Sequence, residues 1–252
     1  MYQIDLNCDL GESFGSYRLG MDEAILPLIT SANVACGFHA GDHTTMARTA
    51  ALCAENRVAI GAHPGFPDLQ GFGRRDMRMT PSEVRSLVTY QIGALEGFCR
   101  ANGLRLQHVK PHGALYNMAA RDSALAEAIC LGIRDFDREL ILLGLSGSEM
   151  LAQARRLGLR CAAEVFADRA YEEDGTLVSR RKPGALITDE ELAVKRVIRM
   201  VLEHKVTAVS GSDIEIIPDS VCVHGDGEKA LTLTKKLRAA LEGAGIVIRP
   251  LC

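Results

Sequence analysis

The stretch HVKPHGALYN, residues 108–117, ends a short apolar run with a lysine, a proline, a histidine and a tyrosine. A buried strand gains nothing from ending in so many polar groups unless that end faces a site. The same ending recurs along the chain, and the recurrence decides the fold. LNCDLGE (6–12) presents Asn7, Asp9 and Glu12, and NVACGFHAGDH (33–43) presents Asn33, His39, Asp42 and His43. GAHPGFPD (61–68) offers His63 and Asp68, and AEVFADRAY (163–171) offers Glu164, Asp168 and Arg169. The opening stretch itself contributes Lys110, His112 and Tyr116, and VCVHGDGEK (221–229) adds His224 and Asp226.

Each of these ends follows a strand-like run. The strand candidates are 2–8, 31–36, 57–62, 105–110, 139–144, 160–166, 206–210, 220–224 and 245–249. Helical patterns lie between most of them. TPSE (80–83) reads as a capping box with Thr80, Pro81 and Glu83, and TDEE (188–191) repeats that logic with Thr188 and Glu191. Repeated βα units imply a parallel sheet. Closure into a TIM-like barrel suits a chain of about 250 residues and places every strand end on one face. A doubly wound open sheet, with the same ends along one crevice, is the competing architecture. No break in composition divides residues 1–252, so one domain is expected.

Composition narrows the function. The chain has 252 residues, 47% hydrophobic and 24% charged, with a net charge of -3. No Lys/Arg run is present, which argues against nucleic acid and anionic membrane as partners. No apolar stretch approaches a bilayer span, and the first residues lack a secretion signal. Eight cysteines without a CxxC pair fit reduced thiols in a cytoplasmic protein rather than a disulfide framework. A P-loop and a dinucleotide fingerprint are both absent.

Each polar residue also has a plainer structural reading. Asp42 and Asp226 can cap the helices that follow them, and Tyr116 can be a core aromatic. The loop 63–79, rich in Gly and Pro and carrying Arg74 and Arg75, reads either as a lid gripping an anion or as an exposed loop. The convergence of His39, His63, His112 and His224 just past strands favours a site.

Taken in order, DLNCDLGE, NVACGFHAGD, GAHPGFPD with GFGRR, VKPHGALYN, EVFADRAY, RKPGALI and CVHGD resemble the LamB/YcsF family across nearly the whole chain. The resemblance implies an irregular TIM-like (β/α) barrel of the glycoside hydrolase/deacetylase type, with seven strands. It also implies ATP-dependent opening of 5-oxo-L-proline to L-glutamate, with magnesium carried by the ATP, in a complex with 5-oxoprolinase subunits B and C. On that reading Asp9, His63, Lys110, His112 and Glu164 are the expected catalytic residues. Asn7, Glu12, His39, Asp42, Arg74, Arg75, Tyr116, His224 and Asp226 are the expected substrate-binding residues. Within that set Arg74 or Arg75 suits the substrate carboxylate, Lys110 a phosphate or oxyanion, and Asp9 with His63 or His112 the activation of water. No metal ligand is assigned, and a divalent metal stays open. The alternative is a metal-dependent deacetylase-like hydrolase acting on a sugar or amide, with Asp9 and two of His39, His63 and His112 as ligands.

Overall fold

The computed structural model describes residues 2–223 and 228–252. Within them ten strands follow in order: β1 (Gln3–Leu10), β2 (Ser31–Ala35), β3 (Ala59–His63), β4 (Leu106–Val109), β5 (Ile141–Leu145), β6 (Cys161–Phe166), β7 (Lys205–Thr207), β8 (Asp213–Glu215), β9 (Ser220–Val223) and β10 (Val247–Ile248). The helices are α1 (Asp22–Ile25), α2 (His43–Asn56), α3 (Pro81–Ala101), α4 (Gly113–Ala119), α5 (Ser123–Phe136), α6 (Glu149–Arg156), α7 (Glu190–Glu203) and α8 (Glu228–Gly243).

Six strands, β1 to β6, pair in parallel in sequence order, and β9 closes the circle by pairing with both β6 and β1. This is a seven-stranded closed barrel, and the open-sheet alternative falls. Parallel strands covered on both sides read as continuous buried runs, and β2, β5 and β9 are buried at every position. The helices supply the outer cover through apolar faces, as in α3, whose Val84, Leu87, Val88, Ile92, Leu95 and Cys99 are buried.

Two strand candidates do not become barrel staves. Residues 206–210 shrink to β7, which forms an antiparallel pair with β8 outside the barrel, stapled by Arg199 Nη1 at 2.8 Å from Asp213 Oδ1. Residues 245–249 shrink to β10, which pairs only with Gln3 and Ile4 at the start of β1. The capping box at Thr80 forms, with Thr80 N 2.7 Å from Glu83 Oε2 and Glu83 N 3.3 Å from Thr80 Oγ1. At the later helix the cap is Asp189, not Thr188. Its carboxylate accepts from Leu192 N at 3.1 Å, so the helix begins one residue further on.

Register sets up the interior. Asp9 lies opposite Asn33, Asn33 opposite Gly61, and Gly61 opposite His108, so four strands contribute to one layer. Gly61 is required there, because a Cβ would sit 2.2 Å from His108 Nε2.

Candidate active site

Successive odd residues of β1 face the same way, and here they carry Asp5, Asn7 and Asp9, all buried. Asp5 accepts from the Thr30 hydroxyl at 2.7 Å, from the Ser31 hydroxyl at 2.6 Å, and from Ser220. Asn7 donates to Ser220 Oγ at 2.7 Å and accepts from Asn33 Nδ2 at 2.8 Å. Asn33 Nδ2 also reaches Asp9 Oδ1 at 2.8 Å, while its Oδ1 meets His108 Nε2 at 2.8 Å. A hydrogen-bonded ladder therefore runs along the interior and ends on Asp9, fixing that carboxylate.

Burial, with Lys110 nearby, pushes the His108 imidazole down to about 3. A histidine held neutral in the fold but free to protonate when unfolded contributes stability above its ordinary value of 6.5, and that stability is lost as pH falls toward about 3. Across that window His108 is expected to make stability fall by up to about 1.4 kcal/mol per pH unit. Urea unfolding of wild type and His108→Gln from pH 7 to pH 4 checks this. Identical pH slopes in the two proteins would rule the contribution out.

Above the ladder, Lys110 Nζ lies 2.8 Å from Asp9 Oδ1 and 2.8 Å from Glu164 Oε1, with Cys222 Sγ at 3.2 Å. The side chain is only 2% exposed. Burial works against its charge, but Asp9, with Cys222 and Glu164, outweighs it and holds the ammonium well above the ordinary lysine value. Glu164 Oε2 accepts from the Tyr116 hydroxyl at 2.7 Å, and burial with that carboxylate keeps the phenol protonated.

Beside this trio stand three histidines. His63 Nδ1 is 2.7 Å from the Lys110 carbonyl, and His112 Nε2 is 2.9 Å from the Phe72 carbonyl. A carbonyl can only accept, so both outer nitrogens carry hydrogen. That leaves His63 Nε2 and His112 Nδ1 facing each other at 2.9 Å, with Asp9 Oδ2 3.3 Å from His63 Nε2. Two lone pairs so placed can share one cation, either a proton taken up during turnover or a metal. His39 stacks on His112 with centroids 3.7 Å apart, and both its buried nitrogens lack a hydrogen-bond partner. Burial and the neighbouring imidazoles hold His39 and His112 neutral, well below the usual histidine range. Glu12 Oε1 lies 3.8 Å from both His39 Nε2 and His112 Nδ1.

Glu12, His39, His63 and His112 each offer a ligand atom within 4.8 Å of the others, a set that could hold a divalent metal. Three imidazoles and one carboxylate, two of the rings oriented by carbonyls behind them, suit zinc or a similar ion. Gly73 permits this crowding: its φ is +62°, and a Cβ would come within 2.7 Å of His39 Cβ.

Glu12, His63 and His112 of this cluster line a cavity of about 780 Å³ together with Asp9, Lys110 and Tyr116, and His39 is buried behind them. The cavity wall comes from the segment between β6 and α7 and from the loop after β3.

Comparison with known proteins agrees with this architecture. The model of the LamB/YcsF family matches residues 4–252. The chain belongs to the LamB/YcsF family. It is 62% identical to the 5-oxoprolinase A-subunit of Clostridium beijerinckii over 251 residues, covering 100% of this chain and 98% of that one. The crystal structure of the lactam utilization protein from Thermus thermophilus superposes with a TM-score of 0.93 at 47% identity, covering 99% of this chain and 100% of that one. A T48 deacetylase shares the fold alone, with a TM-score of 0.50 at 14% identity over 98% of this chain and 87% of that one.

In this LamB/YcsF chain the structure brings Asp9, Glu12, His39, His63, Lys110, His112, Tyr116 and Glu164 together. Asn7 lies beneath them in the ladder, away from the cavity wall. Asp42 sits apart as the cap of α2, accepting from Thr45 N and Gly15 N, each at 2.7 Å, which holds its carboxyl down to about 2. Arg74 and Arg75 both line the cavity, but Arg75 is ion-paired with Asp68 and its side chain is 62% exposed. His224 and Asp226 lie outside the described residues. The loop after β3 is fastened rather than loose: His112 N donates to the Pro64 carbonyl at 2.8 Å, and Gln91 bonds both backbone groups of Gly65. The metal reading of the sequence makes Asp9 a ligand, whereas the geometry gives that place to Glu12 and commits Asp9 to Lys110. Glu12 follows Asp9 by three residues, and nothing in that spacing tells the two apart.

Proposed function

We propose that this protein is the barrel subunit of an ATP-dependent 5-oxoprolinase, the A-subunit, opening the lactam of 5-oxo-L-proline to give L-glutamate together with subunits B and C. The observation that carries the reading is the Asp9–Lys110–Glu164 trio set against the paired imidazoles of His63 and His112 at a cavity floor. The 62% identity to a 5-oxoprolinase A-subunit supports it. Opening an unstrained five-membered lactam runs uphill, so the amide is activated first. Phosphorylating the lactam oxygen with magnesium-bound ATP makes the ring carbon electrophilic. No P-loop occurs in this chain, so that step belongs to the partners.

The residues here then serve the second half. Water adds to the activated carbon and loses its proton to the His63–His112 pair, which Asp9 steadies. The ring C–N bond breaks as the nitrogen takes a proton from the same pair, leaving a γ-glutamyl phosphate. A second water releases inorganic phosphate and glutamate. The Lys110 ammonium, fixed between two carboxylates, stabilises the developing oxyanion in each addition. The inner lone pairs of His63 and His112 take either a proton or a metal. A divalent ion held by Glu12, His39, His63 and His112 would supply Lewis-acid polarisation of a carbonyl or phosphoryl oxygen.

Glutamate release from 5-oxoproline and ATP tests the assignment. The complex of all three subunits is expected to produce glutamate, and the purified single chain is not. Robust ATP-dependent production by the single chain would refute the division of labour. The metal-capable cluster supports a second reading, a deacetylase-like hydrolase acting on a sugar or amide. A stoichiometric metal in the purified protein, with amidase or deacetylase activity lost on chelation and restored by zinc, would decide for that reading.

A further inference from the structure

Arg169 follows β6 by three residues and lines the same cavity, yet it is only 4% exposed. Its Nη2 donates to the Val178 carbonyl at 2.6 Å, while its buried Nε has no partner. Among the described residues no carboxylate comes within ion-pair distance of it. Burial and the charge of Arg180 work against its own charge, and Asp168 offsets them only in part, leaving the guanidinium lowered to about 10. Arg74, whose guanidinium carbon lies 4.8 Å above the Phe72 ring, adds a further positive charge. Both Arg74 and Arg180 line the cavity. A guanidinium held out of water without a counter-ion is costly unless something else supplies the negative charge.

We infer that Arg169, with Arg74 and Arg180, forms an oxyanion subsite in the cavity wall, which receives a carboxylate or phosphoryl group of the substrate. An arginine fork matches either anion through paired N–H donors. The source of the anion rests on the lactam reading, in which the ring carboxylate and the activating phosphoryl group both enter this cavity. The cavity, at about 780 Å³, has room for both groups. Arg169 takes the place that the sequence suggests for Arg75, which is spent on Asp68.

Calorimetric melting and titration of the purified chain at fixed ionic strength test the subsite. The probes are 5-oxo-L-proline, 2-pyrrolidinone (the same ring without its carboxylate) and inorganic phosphate, each with wild type and Arg169→Met. Anionic probes are expected to raise the melting temperature of the wild type, and 2-pyrrolidinone is not. Arg169→Met is expected to weaken anion binding by about tenfold or more. Its ligand-free melting temperature should equal or exceed that of the wild type, because a buried charge with no ion-pair partner among the described residues has been removed. An arginine with a merely structural role would instead lower it. If the methionine variant does not fold, Arg169→Lys keeps the charge without the fork and is expected to show the same affinity loss. A response to phosphate but not to 5-oxo-L-proline, lost in the variant, would keep the subsite and count against the lactam reading. Anion responses unchanged in both variants, or absent from the wild type, would overturn the subsite itself.

Discussion

Replacing Lys110 with methionine is expected to cost about 3–5 kcal/mol of stability and to abolish glutamate formation by the complex. The cost does not come from losing an attractive pair as such. Lys110 is the one cation within 4 Å of both Asp9 and Glu164 among the described residues, and both carboxylates are buried. Removing it leaves two like charges close together and out of water. For a chain of this size the loss corresponds to a melting temperature lower by roughly 10 °C. Calorimetry at pH 7 measures the shift. A variant as stable as the wild type at pH 7 would show that the carboxylates are compensated in some other way.

His112→Ala is expected to lower glutamate production by the complex by about 10²–10⁴, with the subunits still associating. The ring supplies one of the two facing nitrogens to which the proposed reaction assigns the proton transfer, and its other nitrogen is locked on the Phe72 carbonyl. At 5% exposure it offers almost no surface to a partner chain, so association should not change. Turnover rates, with co-purification as the control for assembly, check this. Loss of assembly, or a less than tenfold fall in rate, would remove His112 from the proton path.

How legible these features are in sequence follows from how local their causes are. The barrel staves are legible to within a few residues, because parallel strands buried on both faces leave short apolar runs with polar ends, as at Leu106–Val109 before Lys110. The pattern around Val206 imitates such a run, but its partner is Asp213–Glu215, and a three-residue antiparallel pair leaves no periodic signature. The capping roles of Thr80 and Asp42 are readable because each acts within three residues. Pairings across the barrel are not. Nothing near Lys110 says that its carboxylates lie on β1 and β6, and nothing near Arg75 excludes a ligand until Asp68, seven residues earlier, is seen to hold it. Arg169 stands among the strand-end residues, but its burial with no ion-pair partner among the described residues is a property of the folded wall alone.

The closure of the barrel bears on how the chain must be made. Of the barrel strands β1 is synthesised before the others, and one of its two barrel neighbours is β9, with Asp5 and Ser220 separated by 215 residues. Until Ser220–Val223 emerges from the ribosome, β1 and β6 both present raw edges of the kind that recruit foreign strands. The polar ladder is incomplete during the same interval, since Ser220 supplies the hydroxyl that joins Asp5 to Asn7. Arrival of one four-residue strand therefore seals the sheet and completes the ladder beneath Asp9 in a single event. A nascent chain stalled before it has neither a finished barrel nor a properly seated Asp9 carboxylate.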